Sequence, residues 1–150
     1  MNEPIETHAL EGFPATAIGF VRALERNREL IADDHGVSPT DLRALFWIAK
    51  HGSVTPKAVA QHMEMTTGGV TSVANRLEGL GLLRRSAHPN DRRSLYLELT
   101  ERGHGVMRDI HREFNAMISD STSGLSKKEL AAFGSALQVV ADEVNRRTAR

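Results

Sequence analysis

The sequence predicts a mostly α fold carrying one small β-hairpin, and three observations lead there. Apolar residues recur at helical spacing through most of the 150 residues. Helix-start signals open several of those runs: Ser38-Pro39-Thr40-Asp41, Thr55-Pro56 and Ser126-Lys127-Lys128-Glu129. Residues 82–100 instead alternate with a period of two on either side of a turn-forming Pro89-Asn90-Asp91.

Residues 13–34 form the first expected helix, with Ile18, Val21, Leu24 and Ile31 on one face and Arg22, Glu25, Arg26 and Glu29 between them. It ends near His35-Gly36. Ser38 then serves as N-cap, Pro39 as first helical residue and Asp41 as first-turn acid of a helix that stops at Gly52. A short helix follows Thr55-Pro56. After a break at Met65-Thr66, a further helix carries Val70, Val73, Leu77 and Leu80 on one face, and Gly79 and Gly81 bracket its end. Leu82-Leu83-Arg84-Arg85 reads as a strand and AHPNDRR as a loop. In the return strand SLYLELT, Leu95, Leu97 and Leu99 alternate with Ser94, Tyr96 and Glu98. Thr100 caps a long helix whose face holds Val106, Ile110, Phe114 and Met117, and whose first turns are weakened by Gly103 and Gly105. The last helix spaces Leu130, Phe133, Leu137, Val140 and Val144 alternately by three and four, a narrow seam suited to another helix.

Composition narrows the function. At 40% apolar and 25% charged residues, a packed core is expected and bulk disorder is not. Five Phe, one Trp and one Tyr are few for an all-β sandwich. The absence of cysteine excludes disulfides, thiolate metal sites and a thiol redox switch. Apolar runs are shorter than the roughly 20 residues that span a bilayer, and MNEPIETHALEG lacks an apolar signal-peptide core. A cytoplasmic protein without membrane contact is expected. Gly-x-Ser-x-Gly, His-Glu-x-x-His, P-loop and Gly-x-Gly-x-x-Gly motifs are absent, so no enzyme and no cofactor are expected. His104 and His111 share a helix face and His35 follows Asp33-Asp34, but neither set has the spacing of a zinc motif, and no metal site is assigned.

Basic and acidic residues balance at 19 each, so distribution carries the information. Residues 84–93 place Arg84, Arg85, Arg92 and Arg93 against Asp91 alone. The order of elements, with a helix-turn-helix followed at once by a hairpin, is that of a winged helix-turn-helix flanked by further helices. A helix enters the major groove when one face is anchored and the other is free, small and polar. Residues 66–80 meet that condition, with Thr66, Thr67, Gly68, Thr71, Ser72, Asn75 and Arg76 turned away from the apolar anchors. Asn75 suits adenine, Arg76 guanine and Thr71 a thymine methyl. The wing arginines suit an electronegative minor groove. The bland alternative for both segments is a solvated polar surface; their adjacency favours double-stranded DNA.

LEGLGLLRRSAHPNDRRSLYLELTERG, residues 77–103, resembles the wing signature of the MarR family of bacterial regulators: Gly81-Leu82, Arg85, Asp91-Arg92-Arg93, and Leu99-Thr100 followed by Gly103. The upstream TPKAVAQHMEMTTGGVTSVANRL also resembles the family's helix-turn-helix. The resemblance implies one domain over residues 1–150, with a DNA-binding lobe at 38–99 and dimerisation helices at 10–35 and 100–147. It implies a homodimer on a pseudo-palindromic operator, acting as a repressor, with Arg93 in the minor groove steadied by Asp91. Leu130, Phe133, Leu137, Val140 and Val144 would belong to the dimer interface. It further implies a small aromatic or anionic effector near Phe20, Arg22, Leu45, Phe46, Trp47, Ile48 and His51, residues that would equally suit a core. The rival reading is a winged helix that docks proteins or serves an architectural role without sequence-specific DNA binding.

Overall fold

The computed structural model describes residues 8–88 and 91–149, with the backbone alone at 88 and 91–94. Helices α1 (Gly12–Asp34), α2 (Pro39–His51), α3 (Pro56–Met63) and α4 (Thr67–Gly79) precede strands β1 (Leu83–His88) and β2 (Asp91–Leu99); α5 (Glu101–Ser121) and α6 (Lys127–Thr148) follow. The chain divides into two compact units, Met1–Arg108 and Asp109–Arg150, so the division falls within α5.

Local chemistry sets the helix starts. Ser38 and Asp41 form a reciprocal capping box: Asp41 N donates to Ser38 Oγ at 3.1 Å and Ser38 N to an Asp41 carboxylate oxygen at 3.4 Å. Thr55 Oγ1 accepts from Ala58 N at 3.2 Å and Thr66 Oγ1 from Gly69 N at 3.1 Å, each satisfying one of the amides a helix start leaves unpaired. Ser126 and Glu129 repeat the box at α6. Between α3 and α4, Glu64 takes a left-handed conformation (φ 54°) that ends α3 and starts the turn.

The core of the first unit is built from Leu42, Leu45 and Ile48 of α2, Val59 and Met63 of α3, and Val70, Val73 and Leu77 of α4. Leu83 of β1 and Leu97 and Leu99 of β2 are buried with them. The strands pair antiparallel from Leu83↔Leu99 to Ala87↔Leu95, shift register after Ala87, and close at His88↔Asp91. The strands therefore run into the segment 87–93 expected as loop, because ladder pairing persists across an irregularity that composition reads as a turn. Val54 adds a bridge to Leu97, with N···O distances of 3.1 and 2.7 Å.

Two expected core residues lie outside it. Leu80 is 36% exposed because α4 ends at Gly79 and Leu80 is its C-cap, and Leu95 is exposed, paired in the ladder with the exposed Ala87. On α1 only Ala32 is buried, and Ile18 and Val21 are exposed. The seam of α6 is likewise open in the single chain: Phe133, Val140 and Val144 are exposed, Leu130 and Leu137 half-buried. No helix among the described residues is long and apolar enough to cross a membrane.

Candidate nucleic-acid interface

Helix α4 is anchored by Val70, Val73, Ala74 and Leu77, all buried. At 100° per residue the opposite face is centred on Gly68, Ser72 and Asn75. Thr66, Thr67, Gly68, Thr71, Ser72, Asn75 and Arg76 are all exposed, as the sequence predicts. Thr71 Oγ1 donates to Thr67 O at 2.9 Å and Ser72 Oγ to Gly68 O at 3.1 Å, so each hydroxyl keeps its lone pairs as acceptors. A Cβ placed on Gly68 meets nothing closer than Thr66 Oγ1 at 4.0 Å, so packing does not require glycine there. What the glycine provides is a bare backbone at the amide-rich start of α4, where an anion can approach closely.

Arg76 stands on one flank of that face, directed toward α2. Its Nε and Nη2 donate to the two Asp41 carboxylate oxygens at 3.0 and 2.6 Å. Asp41 is 2% exposed, the buried charged residue of the described core. Burial pushes its carboxyl pKa up, but the Arg76 and Ser38 hydrogen bonds and the Arg76 charge outweigh it and hold the pKa below the ordinary carboxylate value. A shallow open depression lies alongside, lined by Gly36, Ser38, Asp41, Arg76, Gly79 and Leu80.

On the other flank Arg85 of β1 reaches α4, its Nη2 donating to Asn75 Oδ1 at 2.8 Å while its Nη1 pairs with Glu78. Arg84 is held by Glu98, with Nε and Nη2 donating to Oε2 at 3.1 and 3.0 Å, and Ser53 Oγ donates to the other Glu98 oxygen at 2.6 Å. The Ser53 hydrogen bond, with those of Arg84, lowers the Glu98 pKa. Arg84 and Arg85 are thus strand residues, as the sequence reads them, and both are engaged in ion pairs at the base of the hairpin. The side chains of Asp91, Arg92 and Arg93 lie outside the described residues.

The expected effector residues are only partly brought together. Leu45 is 1% exposed and belongs to the core, since it falls on the buried α2 face with Leu42 and Ile48; it does not line an open crevice. Phe46 and Trp47 are half-buried, Phe20, Arg22 and His51 exposed. The Trp47 ring lies 4.4 Å from that of His51 and is stacked at 4.9 Å on His62 of α3, a partner that sequence reasoning missed. Burial lowers the His62 pKa, and the charges of Arg43, His51 and Lys50 lower it further. No group of three or more His, Cys, Asp or Glu among the described residues could hold a metal ion.

Comparison with known proteins places this geometry in context. A profile described as the MarR family matches residues 35–94, from the end of α1 into the hairpin. The HTH-type transcriptional regulator MhqR of Bacillus subtilis is 32% identical over 96 residues, which cover 64% of this chain and 66% of that protein. The HTH-type transcriptional repressor MdtR of the same organism is 32% identical over 98 residues, 65% of this chain and 63% of that one. The chain spans just under two thirds of the length of these curated relatives. Among solved structures, Streptococcus pneumoniae FabT in complex with DNA aligns with a TM-score of 0.72 at 26% identity, covering 89% of this chain and 98% of that one. The apo form of Escherichia coli MarR aligns over 89% of this chain and 98% of its own at a TM-score of 0.70 and 19% identity, a likeness of fold.

Proposed function

The chain belongs to the MarR family, and on that premise we propose that it regulates transcription, as a repressor, by binding a pseudo-palindromic double-stranded DNA operator as a homodimer. One observation carries the reading. Helix α4 presents an uninterrupted polar face of short side chains, fixed from behind by the core, next to a hairpin whose far strand carries Arg92 and Arg93. Thr66, Thr67, Gly68, Thr71, Ser72 and Asn75 would meet the major groove, and the start of α4 a phosphate. Arg93 would enter the minor groove, with Asp91 and Arg92 beside it. The apolar seam of α6, unpartnered in the single chain, supports a second copy as partner; a two-fold dimer would read two half-sites about one helical turn apart. A small aromatic or anionic effector, bound near Trp47, would relieve repression by preferring a dimer with a different spacing of its two α4 helices. This is a non-enzymatic function in the cytoplasm.

The internal pairing of Arg84 with Glu98 and Arg85 with Glu78 favours a second reading, since it removes two cations from the wing. A winged helix that docks proteins needs no basic surface. Titration of the purified protein against the DNA flanking its own coding region, at two salt concentrations, separates the two. A dimer neutralising about ten phosphates gives a log–log salt slope near −9, with strong weakening in Arg93→Ala. Weak binding that ignores sequence, salt and Arg93 supports the docking module.

A further inference from the structure

We infer that two ion-pair struts, Arg76–Asp41 and Arg85–Glu78, set the orientation of α4, and that Arg76 and Arg85 are positioning residues whose guanidiniums do not read bases. The inference rests on the DNA-binding reading and says how that site is held.

The struts grip opposite flanks of one helix. On the α2 side, Arg76 uses its two-donor Nε/Nη2 edge on a carboxylate that is itself buried and fixed by the Ser38 cap. That carboxylate belongs to the first turn of α2, so the contact ties α4 to an element 35 residues earlier in the chain. On the hairpin side, Arg85 engages Glu78 and Asn75, one turn of α4 apart, and ties α4 to β1. Val70, Val73, Ala74 and Leu77 hold α4 to the core along one apolar stripe, and such non-directional contacts fix its roll about its own axis less sharply than directional ones on either side of that line. Two charge-assisted contacts on either side of that line oppose the roll. Rolling matters because Ser72 and Asn75 meet base edges only over a limited range of angles.

Each strut has a carboxylate as its protein-side partner, which gives the test its discriminating power. Neutralising Asp41 or Glu78 removes negative charge near a DNA-binding face and frees an arginine. Electrostatics alone then predicts equal or stronger binding to any DNA. Loss of a strut predicts poorer discrimination between sequences. The full-length protein is used with a duplex selected from randomised oligonucleotides and a scrambled duplex of the same composition. Affinities for both are measured well below the unfolding temperature for wild type, Asp41→Asn, Arg76→Gln and the double variant, and for Glu78→Gln.

Asp41→Asn and Arg76→Gln are each expected to lower the selected-to-scrambled affinity ratio about tenfold, and the double variant no further. Glu78→Gln is expected to lower it in the same direction, and Arg76→Lys not to restore it, since an ammonium lacks the two-donor fork. Scrambled-duplex affinity holds or rises in the carboxylate variants. An unchanged ratio in Asp41→Asn, even with a lowered unfolding temperature, overturns the inference alone. So does a preference for guanine at one position that vanishes in Arg76→Gln and persists in Asp41→Asn. A wild-type protein that shows no sequence preference overturns the DNA-reading function, and this inference with it.

Discussion

The backbone carbonyl of Leu82, just before β1, stands where a side chain on Gly103 in the first turn of α5 would have to go. A Cβ there would lie well inside van der Waals contact with that oxygen and 3.3 Å from Leu99 Cβ. The same carbonyl accepts from Thr100 N at 3.1 Å, while Thr100 Oγ1 donates to Gly81 O at 2.6 Å and accepts from Gly103 N at 3.0 Å. The end of the hairpin and the start of α5 are thereby sewn to the turn that follows α4. Helix propensity alone favours alanine over glycine by about 1 kcal/mol. The clash is with backbone that is itself hydrogen-bonded, so it outweighs propensity. Gly103→Ala is expected to destabilise the protein by about 2 kcal/mol or more, seen as a lowered denaturation midpoint; a raised midpoint would show that Leu82 yields.

Gly68 poses the opposite case. Open space surrounds the added Cβ, so Gly68→Ala is expected to raise stability by several tenths of a kcal/mol. Under the proposed function the same methyl obstructs a phosphate at the start of α4. Thermal unfolding and DNA titration on one preparation should therefore move in opposite directions. A variant that gains stability and keeps full DNA affinity removes the start of α4 from the contact surface.

His62 makes the Trp47 cluster sensitive to acid. Arg43, Lys50, His51 and Trp47 face it, and its pKa lies below the ordinary 6.5. Below 6.5 the unfolded chain protonates first, so stability present above that pH declines as pH falls toward the folded value. Trp47 is the single tryptophan, and its fluorescence reports the stack. An emission change centred below pH 6.5 is expected in wild type and not in His62→Gln. A midpoint at or above 6.5, or one that persists in the variant, assigns the change to another group.

The α6 seam predicts the effect of a charge at its centre. Leu137→Asp would place a carboxylate between apolar residues that meet a second copy in the proposed dimer, where desolvation without a partner is costly. Sedimentation of the variant is expected to show monomer with helical content retained. A persisting dimer would locate the interface away from Phe133, Leu137, Val140 and Val144.

Much of the fold is legible because its signals are local. Ser38, Thr55, Thr100 and Ser126 cap the helices expected of them, since a hydroxyl bonding to an amide two or three residues on is decided within one turn. The exposed face of α4 follows from periodicity in the same way. The Val54–Leu97 bridge was not legible, because one paired residue has no period. The extent of β1 and β2 was hidden by turn-forming residues that the ladder absorbs.

By itself, then, the sequence determined the order of elements, the apolar faces and which side of α4 is free. The tertiary structure alone decided what the charged and glycine positions do. Arg76 and Arg85 look equally available in sequence, yet Asp41, 35 residues away, and Glu78, on the neighbouring element, hold them. Gly103 looks like a flaw in a helix until Leu82 is brought against it. Periodicity is a property of one segment, whereas the partner of a charge and the room for a methyl group depend on which segments meet.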